Sequence, residues 1–284
     1  MKYCVEFAKS FNYMDEIDEI FIQYKSNNKA LEKFIEKFKE KRILIQLNFE
    51  DLDEFIDSSI QVDFIKAVID KYEANVAIIL PEYKFDGSRK AFDIFKEKEI
   101  PVFFSTMVHS WDVLTGLADM GVSDIYIVEE LGFELVSVAA VLHERGIQIR
   151  CYPNVAQSAH PDVPDIKKFF IRPEDVELYE QYVDVFEFYG DNNNLYYKIY
   201  AKDKKWFGDL SEIIFNFNKS LDSRCVVPQF AEVRSRCGKK CMKGSPCRIC
   251  EKVDRLAETM QENGLYFRKT QEAEIQEESS GQSL

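Results

Sequence analysis

The feature that most constrains this chain is a repeated alternation. Across the first 190 residues, short β-branched or aromatic runs are each followed by a longer amphipathic stretch. The runs are 3–7, 19–24, 43–48, 75–80, 102–106, 124–128, 148–152, 169–172 and 185–188. Several are apolar on both faces, as in Val76-Ala77-Ile78-Ile79-Leu80, the pattern of a buried parallel strand. The intervening stretches read as helices at 27–41, 61–72, 88–98, 110–120 and 133–145, the first with Leu31, Phe34, Ile35 and Phe38 on one face. Gly121 and Gly146 fall where helix C-caps belong, and Pro101 opens a strand, where its missing N–H does least harm. Residues 10–18 have room for only a brief helix, and 153–167 read as a loop. So many strands in so short a span favour a closed β/α (TIM-like) barrel over an open sheet. Nine candidates are one more than such a barrel needs, so one belongs outside it.

After Gly190 the pattern changes. Residues 192–217 read as a helix, a break near Gly208 and a second helix, and 247–262 as a final helix. The expected division is a barrel over 1–222, a cysteine-rich metal-binding segment with its helix over 223–268, and a disordered acidic tail over 269–284. The fold class expected is therefore α/β, a β/α barrel with a C-terminal helical, cysteine-rich extension.

Five of the seven cysteines lie in that extension: Cys225, Cys237, Cys241, Cys247 and Cys250. The last four form a C-x3-C-x5-C-x2-C run whose thiolates can converge on one metal centre, with Gly238, Gly244 and Pro246 letting the backbone turn around it. Lys239, Lys240, Lys243 and Arg248 offset thiolate charge there. The opening MKYCVEFAKSFNY has no signal-peptide run, which points to the cytoplasm, where clustered cysteines hold metal more often than disulfides. Four thiolates suit zinc and a four-iron cluster equally; Cys225 is either a ligand itself, with Cys237 or Cys241 the spare, or the replacement if one of the four points away.

A net charge of −13 argues against extended nucleic-acid binding. No apolar run reaches transmembrane length. A small-molecule or macromolecular substrate and a protein partner stay open. No Ser-His-Asp arrangement and no H-E-x-x-H is legible, which argues against simple hydrolysis. In β/α barrels the reacting groups follow the strands. By that rule His109, Asn154, Gln157, Arg172 and Glu187 are the catalytic candidates, with Asn154, Gln157, Arg172 and Glu187 expected at one end of the barrel, within reach of one ligand. Ser110 reads as an N-cap, Glu174 and Asp175 as first-turn carboxylates, and Cys4 and Cys151 as core.

The stretch F-F-I-R-P-E-D-V-E-L-Y-E-Q-Y-V-D-V-F-E-F-Y-G-D-N-N-N-L-Y-Y-K-I-Y (169–200), with D-I-Y-I-V-E-E-L-G-F-E-L (124–135) and I-Q-I-R-C-Y-P-N-V-A-Q-S (147–158), resembles the collagenase-like peptidase family U-32. Where that family has K-I-E-G-R, this chain has Glu187 and Asp191 at the Lys and Arg positions, and its cysteines follow the barrel. The resemblance implies a β/α barrel and, as in several members, an iron–sulfur cluster, here on the late cysteines, with zinc as the alternative. It implies either an oxygen-independent hydroxylase, of the kind that modifies RNA bases or quinone precursors, or a peptidase. A non-catalytic binding or scaffold protein with a zinc knuckle is the third expectation.

Overall fold

The computed structural model describes residues 1–108, 110–127, 135–157, 167–226, 230–232 and 248–263. Nine parallel strands form one sheet: β1 (Lys2–Glu6), β2 (Glu19–Gln23), β3 (Arg42–Gln46), β4 (Val76–Leu80), β5 (Val102–Phe104), β6 (Met107–Val108), β7 (Asp124–Ile127), β8 (Gln148–Cys151) and β9 (Val185–Glu187). Their order is β5-β4-β3-β2-β1-β9-β8-β7-β6. The two ends of that order are neighbours in the chain, separated only by Ser105 and Thr106. One kinked stave thus pairs with β4 through its first half and with β7 through its second. Ser105 donates its N–H to Leu80 on one side, and Val102 accepts from Ser123 on the other. The sheet curls round on itself as a TIM-like barrel, with β4, the kinked stave and β7 adjacent as expected.

Between strands run α1 (Asn28–Phe38), α2 (Leu52–Ile56), α3 (Ser59–Tyr72), α4 (Asp86–Glu97), α5 (Trp111–Met120), α6 (Leu135–Glu144) and α7 (Val176–Tyr179). Local chemistry sets their ends. Asn27 and Ser110 accept from Ala30 and Val113, capping α1 and α5. Gly121 ends α5 at φ +80°, a left-handed turn that costs glycine little. Strand residues that face outward, such as Ile20, Ile43, Val76 and Ile78, are fully or almost fully buried against these helices. The main apolar core therefore lies between sheet and helices.

The inside of the barrel is different. Register rows share a face of the sheet, and one row reads Glu187–Cys4–Glu19–Arg42. Strand stagger makes such a row climb through the barrel: Glu187 ends its strand, while Glu19 and Arg42 begin theirs. Polar residues thus line the interior from the floor, where strands start, to the mouth, where they end.

Two expected elements differ. Residues 169–172 are not a stave; only Phe169 bridges Gln157, antiparallel, leaving eight staves. The expected second helix after Gly208 is a single 3-10 turn, Leu210–Glu212. Asp209 prevents its continuation by accepting from Ser211, Ser220 and Leu221, which folds the chain back, and Asn216 sits at φ +60°. The first helix is present as α8 (Asn193–Tyr197), prolonged by a π-helical turn over Lys198–Asp203, and the last as α9 (Ile249–Glu262). The expected tail at 269–284 lies outside the described residues. No helix among the described residues is long and apolar enough to cross a membrane.

Candidate functional site

The barrel interior holds a network of two guanidinium groups and three carboxylates. At the floor, Arg42 grips Asp124 with two bonds of 2.7 and 2.6 Å and reaches Glu19 at 3.4 Å. Arg150, fully buried, donates to Glu19 at 2.6 Å, to Asp124 at 3.0 Å and to Glu187 at 2.9 Å. Burial alone would push the Asp124 carboxyl up, but the hydrogen bonds and charge of Arg42, with the charge of Arg150, hold it below the usual carboxylate range. The carboxylates around Arg150, Glu19 first, keep its guanidinium charged against a large desolvation penalty.

Glu187 is the top of this column. Its Oε2 accepts from Arg150 and from the Tyr126 hydroxyl at 2.9 Å, and its Oε1 from the Tyr152 hydroxyl at 2.9 Å. Burial first, and the Glu187 charge second, keep both phenols protonated well above their ordinary range. The two rings stack 5.2 Å apart at 9°. Glu187 is 2% exposed, and its position is fixed from below and from the side.

Above it opens a cavity of about 430 Å³ at the strand C-termini, the end where β/α barrels carry their chemistry. Its polar lining comes from Glu6, Gln23, Gln46, Tyr152, Glu187 and Asp191, and its apolar wall from Phe21, Phe188, Tyr189 and Phe215. Glu6, Gln23, Gln46 and Glu187 are each the last residue of their strand. Gln23 donates to Gln46 at 2.9 Å, yet its own Oε1 is buried and has no partner among the described residues. No described residue forms an ion pair with Glu6 or Asp191, and no Lys, Arg or His is among the described lining residues.

The expected site residues distribute unevenly. Glu187 lies in the cavity lining. Asn154 is fully buried beside it but faces the protein: its amide donates to the Tyr189 carbonyl and accepts from the Tyr189 N–H, bracing one wall. Arg172 is spent on structure. Its Nε and Nη2 bind Asp175, and Nη1 binds the carbonyls of Ser223 and Val226. With every side of its fork engaged and 3% exposure, Arg172 has nothing to offer an anionic ligand. Gln157 has a buried carboxamide with no partner among the described residues, and it does not line the mouth. The four expected residues therefore do not converge on one ligand. His109 lies outside the described residues. Glu6, Gln23, Gln46 and Asp191 were missed. Glu174 and Asp175 lie in the first turn of a 3-10 helix, Pro173–Asp175, as expected, and Glu174 also accepts from Trp206 N–H and the Ser223 hydroxyl.

Of the expected metal ligands, Cys237, Cys241 and Cys247 lie outside the described residues, while Cys225 and Cys250 lie within them. Cys225 ends a 3-10 turn, Ser223–Cys225, that Arg172 anchors. α9, on which Cys250 sits, packs against that turn, and Lys219 pairs with Asp254 and Glu258 of the same helix. The two ends of the cysteine run are thereby held on one side of the fold. A thiolate-bound group suits that donor chemistry. Among the described residues no cluster of three or more metal-ligating side chains forms. The segment that brings Phe215 to the mouth, where it pairs with the backbone of Asn154 and Ala156, continues into Cys225.

No family model matches the chain, and no curated protein matches it. Among solved structures, the “putative glycerophosphoryl diester phosphodiesterase” of Silicibacter pomeroyi DSS-3 is similar at 12% identity and a TM-score of 0.39. The match covers 63% of this chain and 57% of that one.

Proposed function

We propose that this chain is a β/α-barrel enzyme that modifies a substrate held in the mouth above Glu187, of the iron–sulfur-dependent type that the U-32 resemblance implies. The observation that carries the reading is the mouth itself: a cavity of enzyme-site size whose polar lining comes from the ends of four strands. Glu187 orients the substrate by accepting a hydrogen bond, since Arg150 and two phenols fix its carboxylate in place. Tyr189 and Phe215 form an aromatic wall of the site, and Asn154 holds Tyr189 in place there. Cys237, Cys241, Cys247 and Cys250, with Cys225 as the substitute, would hold the cluster, which supplies electrons one at a time. The peptidase reading has less support: the one described histidine, His143, pairs with Asp184 on the surface and meets no nucleophile.

Protein purified without oxygen should be brown, absorb broadly near ~400 nm and carry iron with acid-labile sulfide. Cys247→Ser should lower the iron content. Glu187→Gln should leave iron content intact and abolish turnover. Colourless protein holding zinc would convert the reading to a non-catalytic binding protein with a structural knuckle. Protein holding neither metal sinks the cofactor assignment.

A further inference from the structure

The mouth does not end at its own wall. A second cavity, of about 390 Å³, adjoins it between the ends of β1 and β2 and the first half of α1. Glu6 and Gln23 line both cavities, so the two meet at the strand ends that carry these side chains. Beyond them the lining becomes apolar, with Phe7, Leu31 and Phe34, the two phenylalanine rings meeting edge to face at 4.9 Å. The exposed Lys25 and Asn27 lie at the end of this groove, Asn27 being occupied as the cap of α1.

The polar half is short of hydrogen-bond donors and of positive charge. Arg42 and Arg150 do not neutralise Glu19, Asp124 and Glu187, and Glu6 and Asp191 add to the excess at the mouth. The buried Gln23 Oε1 is an acceptor with no donor among the described residues, a state that a ligand's N–H relieves. Two aromatic rings that elsewhere would be buried stand open here: Tyr189 is 55% exposed and Phe215 36%, set edge to face at 5.1 Å. Carboxylates, an orphaned acceptor and open π-faces all favour one kind of occupant.

Resting on the reading of the mouth as the substrate site, we infer that this enzyme takes an organic amine with an apolar tail. The ammonium group sits at the mouth against Glu6, Asp191, Gln23 Oε1 and the aromatic wall. The tail lies in the Phe7–Leu31–Phe34 groove. An anion is excluded by the same charges that attract the amine.

The test is a binding comparison on the full chain with three probes of one shape: phenethylamine, phenethyl alcohol and 3-phenylpropanoate, by calorimetry or ligand-observed NMR at neutral pH. The amine should bind about five- to tenfold more tightly than the alcohol, and the carboxylate more weakly still, because each of the two exposed carboxylates adds the modest gain of a surface charge pair. Replacing both exposed carboxylates, Glu6→Gln with Asp191→Asn, should cost the amine about five- to tenfold and leave the alcohol unchanged. Phe34→Ala should weaken phenethylamine and spare ethylamine. If the alcohol or the carboxylate binds as tightly as the amine, or if the double variant leaves amine affinity untouched, the amine assignment is overturned while the mouth survives as a site. If none of the three probes binds, the reading of the mouth falls, and this inference with it.

Discussion

The floor and the mouth of this barrel are built from the same residue types and reach opposite states. At the floor, Glu19, Asp124 and Arg42 are buried and interlocked with Arg150, and each charge faces an opposite one within 3.4 Å. At the mouth, Glu6 and Asp191 stand exposed with no ion pair among the described residues, and Gln23 keeps a buried oxygen unbonded. Glu187 belongs to both, its lower side tied to Arg150 and its upper side lining the cavity. The difference separates two uses of charge. A saturated network fixes one arrangement of strands; an unsaturated one is a demand that something else must meet.

The sharpest way to break this comparison is to remove the shared partner. Arg150→Ala leaves Glu19 and Asp124 with Arg42 alone and takes from Glu187 its guanidinium partner, and should cost about 3–5 kcal/mol in denaturant unfolding. A loss below about 1 kcal/mol would show that the floor is not saturated in solution. Next in size is Arg172→Ala, which strands two carbonyls and the Asp175 carboxylate. It should cost about 1–3 kcal/mol, with hydrogen exchange rising in 209–226 before it rises in the strands. Uniform loss of protection across strands and segment would mean that Arg172 supports the whole barrel.

Acid titration sharpens the floor further. The folded Asp124 carboxyl sits below its unfolded value of about 3.9, so its stabilisation is complete above that pH and disappears as pH falls through the folded value. Asp124→Asn should therefore lose about 1.5–3 kcal/mol at neutral pH, with the gap to the parent closing in acid. Asp175 has the opposite sign. Burial raises its carboxyl despite Arg172, so its protonation favours the fold and stability drops as pH climbs from about 3.9 through the raised folded value. Asp175→Asn should cost less at neutral pH than Asp124→Asn; the reverse order of losses would contradict these signs. The smallest effect belongs to the mouth: Glu6→Gln should change stability by no more than about 0.5 kcal/mol, since nothing among the described residues depends on that charge. A larger loss would place Glu6 in the structural network instead.

The barrel was legible because its strands are apolar where they meet helices, and because Asn27, Ser110 and Gly121 mark helix ends by local chemistry alone. The reading failed where an apolar run had another use. Phe169, Phe170 and Ile171 are buried, yet as cover beneath the 209–226 segment rather than as a stave: Ile171 accepts from the Tyr200 hydroxyl, and Phe170 meets Phe217. It failed again at 209–217, where the Asp209 side chain outcompetes helical hydrogen bonding in a way that periodicity does not register. In the site, the rule that reacting groups follow the strands points to Glu187 but not to Glu6, Gln23 and Gln46, which sit inside the strands as their last residues. The available signal was phase: Glu19, Phe21 and Gln23 share one parity, as do Arg42, Leu44 and Gln46, and each set begins with a charge and ends with an amide. Arg172 misled because a lone arginine after a strand reads the same whether it faces a ligand or a backbone.

The ion network also sets an order of events during synthesis. Glu19 and Arg42 leave the ribosome before their partners, since Arg150 follows Glu19 by 131 residues and Asp124 follows Arg42 by 82. Until those partners arrive, Glu19 and Arg42 have only each other, at 3.4 Å, on the face that must become the inside, and that polar face has no stable way to close. The first strand then waits for the last, because β1 completes its pairing only with β9. Early closure around a partial barrel is penalised by the same charges that lock the finished one, so the chain carries its own check that the whole barrel is present before it seals.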